Sequence, residues 1–176
     1  MSIELLTRIT GIVLYATFAM FGAIGADKTV SNKQFGFEIT FPETWIEDLH
    51  LREHIVLQWA SPKAVKAALI AVVNVIAIDM EKGETAKEFV DKCLKADESL
   101  QRELVSKTES KISEVNAMIV TFEISDETPV FKRVQYVLVS GKRGYLITAA
   151  AQKDDYDKYA KDIDAIVKSF KIIETK

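Results

Sequence analysis

One cysteine, two histidines and seven glycines in 176 residues leave little material for a reaction centre. A lone thiol, Cys93, cannot close a disulfide within the chain, so the fold must be held by packing. Cys93 reads as a small buried hydrophobe on a helix, with a reactive thiol or an intermolecular bridge as the alternative. Gly11, Gly22 and Gly25 all precede Asp27, and the other glycines are scattered. No phosphate-cradling glycine loop and no G-x-S-x-G elbow is present. Both imidazoles, His50 and His54, fall in one short stretch, which leaves none to serve a nucleophile elsewhere. The adjacent carboxylates Glu47–Asp48 and Asp154–Asp155 read as solvated surface. These absences argue that the chain is not an enzyme and carries no cofactor. A net charge of −3 disfavours nucleic acid, which needs clustered Lys and Arg.

Residues 9–26 contain no charge at all. Arg8 precedes the run, and it closes on Ala23-Ile24-Gly25-Ala26, small residues of the kind a signal peptidase accepts. The stretch is longer than the apolar core of a typical signal peptide and close to the span of a bilayer. Residues 1–26 therefore read as a signal peptide or as a retained N-terminal anchor. Either reading exports the remainder, to a periplasmic or extracellular site, and confines membrane contact to the N-terminal segment if it is uncleaved. Residues 27–176 read as a single domain large enough for a proper core.

Beyond a polar lead over residues 27–33, Phe35, Phe37, Ile39 and Phe41 alternate with Gly36, Glu38 and Thr40, the period of a half-buried strand. Trp45-Ile46 starts a short extended piece, and Ile55, Leu57 and Trp59 alternate again. Residues 63–68, rich in Ala and Lys, read as one helical turn. Residues 69–78 are apolar on both parities except Asn74, which predicts a central strand covered on both faces and hence three layers. Thr85 and Glu88 form a capping-box pattern, and Phe89, Val90, Cys93, Leu94 and Leu100 recur at helical spacing, predicting a helix from about Ala86 to Glu103. Residues 105–112 read as an edge strand whose Lys107, Glu109 and Lys111 deter foreign pairing. Met118, Val120, Phe122 and Ile124 alternate. Residues 130–139 and 145–151 read as a hairpin with glycines supplying positive φ. A last helix opens near Asp154–Asp155, with Tyr156, Tyr159, Ile163, Ile166, Val167 and Phe170 as its apolar stripe. Short links between strands imply an antiparallel sheet with helices on its faces, an α+β fold.

Two clusters carry possible binding chemistry. His50 and His54, with Glu53 or Asp48, supply imidazole and carboxylate ligands that suit zinc or copper, against the plainer reading of a solvated loop. Lys132-Arg133 and Lys142-Arg143 are expected at one end of the hairpin as a basic spot for an acidic partner or lipid headgroups, against charges that simply keep a turn in water. Trp45 is expected to cap the core.

The run Phe35-Gly36-Phe37-Glu38-Ile39-Thr40-Phe41-Pro42-Glu43-Thr44-Trp45 resembles the opening signature of PsbP-like domains. The Ser61-Pro62 end of the second strand, Asn74-Val75, the helix after Glu84-Thr85 and the closing Lys168-Ser169-Phe170 are similar too. The chain departs from that pattern at Asn116-Ala117, where a glycine often precedes the strand. The resemblance covers residues 27–176. It implies an α/β/α sandwich with a central antiparallel sheet of six to seven strands and helices on both faces. It also implies a non-catalytic docking, assembly or stabilising factor for an extracytoplasmic complex, with an unidentified protein partner. A small-ligand or divalent-metal binding protein of the same compartment is the alternative.

Overall fold

A computed structural model of the protein describes residues 26–48, 54–62, 71–81, 83–96, 102–125 and 129–173. Its elements in chain order are β1 (Lys28–Asn32), β2 (Phe37–Phe41), β3 (Ile46–Glu47), β4 (Ile55–Ala60), β5 (Val72–Asp79), α1 (Ala86–Ala96), β6 (Arg102–Ile112), β7 (Val115–Ile124), β8 (Phe131–Ser140), β9 (Arg143–Gln152), α2 (Tyr156–Ser169) and β10 (Lys171–Ile172). A short 3-10 turn, Lys153–Asp155, leads into α2. The leader over residues 1–25 and the helical turn expected over 63–68 lie outside the described residues.

Seven strands form one antiparallel sheet in the order β3-β4-β5-β9-β8-β7-β6. The predicted central strand is β5, between β4 and β9, with Val73 and Val75 buried on one face and Asn74, Ile76 and Ile78 on the other. Successive side chains leave a strand on opposite sides, so an apolar run on both parities demands cover on both faces. That cover is α1 on one face and α2 on the other, and the α+β sandwich follows.

The α2 face carries more than a helix. A second sheet, β1-β2-β10, packs there with α2. The alternation read from Phe37 to Phe41 buries Phe37, Ile39 and Phe41 completely. Phe41 stacks on Trp59 with ring centroids 4.6 Å apart, and Phe37 stacks on Phe170 at 5.5 Å. Tyr145 meets Phe170 edge-on at 5.2 Å, so three elements distant in sequence share one aromatic knot. Each such ring removes enough apolar surface from water to contribute about 2–3 kcal/mol. Trp45 is fully buried as expected, with its indole N–H donating to Asp162 at 3.4 Å.

The residues read as a polar lead contain β1, which pairs with β2 through Lys28↔Phe41 to Asn32↔Phe37. Its exposed, polar composition hides it from pattern reading, because an edge strand on a small sheet needs no apolar face. Phe35 belongs to the turn before β2. There its N–H donates to Asn32 Oδ1 at 3.1 Å, and Gly36 takes φ 73°.

α1 starts on the capping box. The Glu88 N–H donates to Thr85 Oγ1 at 3.2 Å, and the Thr85 N–H donates to Glu88 Oε2 at 2.9 Å. Each bond satisfies a donor that the helix start would otherwise leave open. The Thr85 N–H and, beside it, the Thr85 hydroxyl donate to Glu88 Oε2 and hold that carboxyl below its ordinary pKa. The helix does not reach Glu103. It is described to Ala96, and Arg102 and Glu103 lie in β6, paired with Ile124 and Glu123. Leu100 continues the apolar spacing in the sequence but lies outside the described residues. The β6–β7 turn places two non-glycine residues, Ser113 (φ 46°) and Glu114 (φ 68°), in the left-handed region. Ser113 Oγ donates to the Phe170 carbonyl and anchors that turn to the end of α2.

Candidate functional site

An open cleft of about 690 Å³ lies where the two sheets meet, lined by Phe35, Asp79, Ser140, Lys142, Arg143, Tyr145, Ile172 and Ile173. Four elements build it. The turn before β2 contributes Phe35, the end of β5 contributes Asp79, the β8–β9 hairpin contributes the basic pair, and β10 contributes the aliphatic wall. The Arg143 guanidinium sits 5.7 Å from the Phe35 ring and 3.2 Å from Asp79 Oδ1. Asp79 is exposed, so that ion pair is screened and contributes at most about 1 kcal/mol. Its main effect is to orient Arg143 beside the ring.

The floor of the cleft is fixed. Tyr145 is buried, and its hydroxyl donates to the Phe35 carbonyl at 2.8 Å and the Gly36 carbonyl at 3.2 Å. Burial raises the Tyr145 pKa, partly opposed by Arg143, so the phenol stays protonated and keeps donating. The Ile173 N–H donates to the Gly36 carbonyl at 3.0 Å, and the Met80 N–H to the Lys142 carbonyl at 2.9 Å. Aromatic, cationic and aliphatic groups thus stand side by side on a braced backbone.

The basic spot expected from four residues is built by two. Lys142 and Arg143 sit at the hairpin turn, whereas Lys132 pairs with Ala151 at the far end of the same strands, roughly 30 Å away. Arg133 is buried on the α1 face. Residues 134–141, all but the last in β8, separate the two pairs, and a shared hairpin cannot fold them together. Of the hairpin glycines, Gly141 takes φ 61°, but Gly144 is an ordinary strand residue whose missing side chain admits Met80 and Ile78.

His50 and Glu53 lie outside the described residues. His54 is exposed in the turn before β4 with φ 72°. Asp48 is buried and accepts a 2.8 Å hydrogen bond from Gln58 Nε2. Among the described residues no group of three or more His, Cys, Asp or Glu side chains is placed to hold a metal ion. Cys93 is half-buried and lines a cavity of about 20 Å³ between α1 and the sheet, room for about one water.

A second feature escaped sequence reading. Gln58, Asn74, Thr148 and Gln135 stand directly opposite one another across β4, β5, β9 and β8, and all are buried. Residues two apart share a face, which puts this row beside Ile76, Leu146 and Val137 under the α1 layer. Asn74 Oδ1 and Thr148 Oγ1 make no hydrogen bond, and each such buried group costs about 1–3 kcal/mol. Asn74 was visible as the polar exception in its strand; the other three needed the strand order.

Among the described residues no helix is long and apolar enough to cross a membrane. The fold has solved relatives. The cyanobacterial PsbP of Synechocystis sp. PCC 6803 superposes with a TM-score of 0.60 at 15% identity, covering 88% of this chain and 98% of that one. LpqN of Mycobacterium tuberculosis, described as involved in cell envelope biogenesis, gives 0.66 at 10% identity over 84% and 91%. A Bacteroides thetaiotaomicron protein gives 0.63 at 12% identity over 85% of this chain, which spans 50% of that protein's length. At these identities the likeness establishes the fold alone. A search of curated protein sequences finds no match. The family described as PsbP-like protein matches residues 24–172. With the two-sided antiparallel sandwich and the aromatic-Gly-Phe opening in place, the chain belongs to the PsbP-like family.

Proposed function

We propose that this chain is a non-catalytic, extracytoplasmic docking or assembly factor that engages a protein partner through the cleft between its two sheets. The observation that carries this reading is the cleft itself, where Arg143 lies beside the Phe35 ring over a floor pinned by Tyr145. A rigid aromatic next to an arginine, with an aliphatic wall, is the composition that concentrates binding energy at interfaces. It suits an acidic and apolar segment of a partner. Export is supported by the uncharged run over residues 9–26 and by the envelope role named for LpqN.

A photo-crosslinking side chain introduced at Lys142 of the full-length chain, in native membranes, tests the site. The expected result is a discrete adduct that disappears when Arg143→Glu is added. A matched probe at Lys153, at the opposite end of β9, is expected to give none. Equal labelling from both positions, or an adduct indifferent to Arg143→Glu, contradicts the reading.

The second reading, a small-ligand or metal carrier, draws support from Asn74 Oδ1 and Thr148 Oγ1, buried polar atoms without partners. A ligand that brings hydrogen-bond donors would satisfy them. The metal version rests on His50, His54 and Glu53. Zinc calorimetry on the parent and on a His50→Ala/His54→Ala variant separates these cases, because uptake lost with the imidazoles is required for a metal role.

A further inference from the structure

The two edges of the seven-stranded sheet differ sharply. At one end stands β3, only two residues long; at the other stands β6, eleven residues long. Residues 103–111 are exposed, and the exposed large hydrophobic residues found among the described residues, Leu104 and Val105, both lie on this strand. A long edge strand presents a row of unpaired backbone donors and acceptors, which is a template for another strand.

The charges on this edge specify which strand. Lys107, Glu109 and Lys111 are two residues apart and share the α1 face, opposite Val120, Met118 and Asn116 of β7. In an antiparallel pair centred on Thr108, Lys107 of one copy stands opposite Glu109 of the other, and the reverse holds across the two-fold axis. Ser106 then faces Ser110, and the register shift between Leu104 and Ser106 ends the regular ladder there. A two-fold axis normal to the sheet keeps these partners on one face, as cross-strand pairing requires. Shifting the centre to Glu109 sets Glu109 against itself and Lys107 against Lys111. Centring on Ser110 matches Glu109 with Lys111 but sets Lys107 against Ser113, beyond the end of the strand, and leaves it without a charge partner across the axis.

The helix extends the pattern. Lys87 Nζ lies 3.4 Å from Glu109 Oε1, and Lys107 Nζ donates to Asp91 Oδ1. Across the axis these become a chain of alternating sign: Lys87, Glu109, Lys107 of the second copy, Asp91 of the second copy. Charged edges repel a foreign apolar strand. This arrangement still leaves one partner whose charges match, the same strand running the other way.

From this geometry we infer that β6 is a self-association edge, pairing antiparallel with β6 of a second copy about Thr108 to make one continuous sheet. This interface lies three strands away from β9 and the docking cleft, and does not depend on it. Disulfide trapping of the full-length chain tests it, in a Cys93→Ser background. Opposed residues of an antiparallel pair have Cα atoms about 4.5–5.5 Å apart, within disulfide reach. Thr108→Cys should therefore give a covalent dimer on non-reducing gels under mild oxidation. Ser110→Cys should not, because its copies lie about 13 Å apart along the strands. Adding Glu109→Lys to Thr108→Cys should abolish trapping, and Lys107→Glu with Glu109→Lys should restore it. The substituted β6 side chains are exposed, and an unchanged circular dichroism spectrum is the check that each variant folds. Equal trapping at Thr108 and Ser110, trapping that survives Glu109→Lys, or a Thr108→Cys adduct formed only with another protein overturns the inference.

Discussion

Replacing Gly144 by alanine probes a tightly packed position in the large sheet. Gly144 lies in β9 opposite Ile78 of β5 and Val139 of β8. A Cβ built there falls 2.6 Å from Met80 Sδ, 2.9 Å from Ile78 Cγ1 and 3.0 Å from Met80 Cγ. Favourable contacts between such atoms begin near 3.5 Å, so the overlap is close to about 1 Å. Met80 can bend, being unbranched, but Ile78 is stiff at χ1, and both are buried. Overpacking of this kind costs about 1–3 kcal/mol, offset by the roughly 0.5–1 kcal/mol that alanine gains over glycine within a strand. The expected net loss is about 1–2 kcal/mol. Urea unfolding should show a midpoint lower by roughly 0.5–1 M with an unchanged slope. A double-mutant cycle with Met80→Ala sharpens the test. Truncating Met80 removes two of the three clashing atoms, so the pair should be less destabilised than the sum of its parts by about 1 kcal/mol. Additivity within about 0.5 kcal/mol, or a Gly144→Ala protein as stable as the parent, would refute the packing argument.

Glu114→Gly should stabilise the fold by about 0.5 kcal/mol, since relief of a left-handed conformation worth about 1–2 kcal/mol exceeds the entropic cost of glycine. Thermal unfolding checks it, and a lowered midpoint would show that the Glu114 side chain matters more than its φ. The pKa values of Tyr136, Tyr145 and Tyr156 are raised, foremost by burial. A raised folded-state value means stability is intact below the ordinary tyrosine pKa of about 10 and falls as pH rises beyond it, because the unfolded chain loses those protons first. Denaturation followed from pH 8 to 11.5 should show that decline, and Tyr156→Phe should flatten it; an equal slope in the variant would assign the loss to the exposed lysines instead.

The comparison between residues and structure divides along range. Local periodicity was enough for β2, β7 and α2, because alternation and helical spacing record which face each element buries, whereas in β4 a register shift between Ile55 and Leu57 turns Ile55 to the α1 face. The continuous apolar run of β5 even announced cover on both sides of the sheet, and Thr85 with Glu88 marked the start of α1. Those patterns are one-dimensional consequences of burial, while the family resemblance rested on the particular residues from Phe35 to Trp45 and the shorter matches beyond them. The β1 and β10 strands carry no such mark, being short and half-exposed, and exist because β2 offers them an edge.

The sites belong to the other category. Phe35, Asp79, Arg143 and Ile172 are scattered over more than a hundred positions, and no spacing rule joins them. Their meeting depends on which strands neighbour each other and in what register, a long-range choice that composition leaves open. The same choice sends Lys132 and Lys142 to opposite ends of one hairpin and lines Gln58, Asn74, Thr148 and Gln135 into one buried row. Chain chemistry thus settles which residues go inside, since hydrophobic burial is nearly indifferent to partner identity. Pairing geometry settles which of them meet, since backbone ladders and cross-strand contacts accept one alignment at a time.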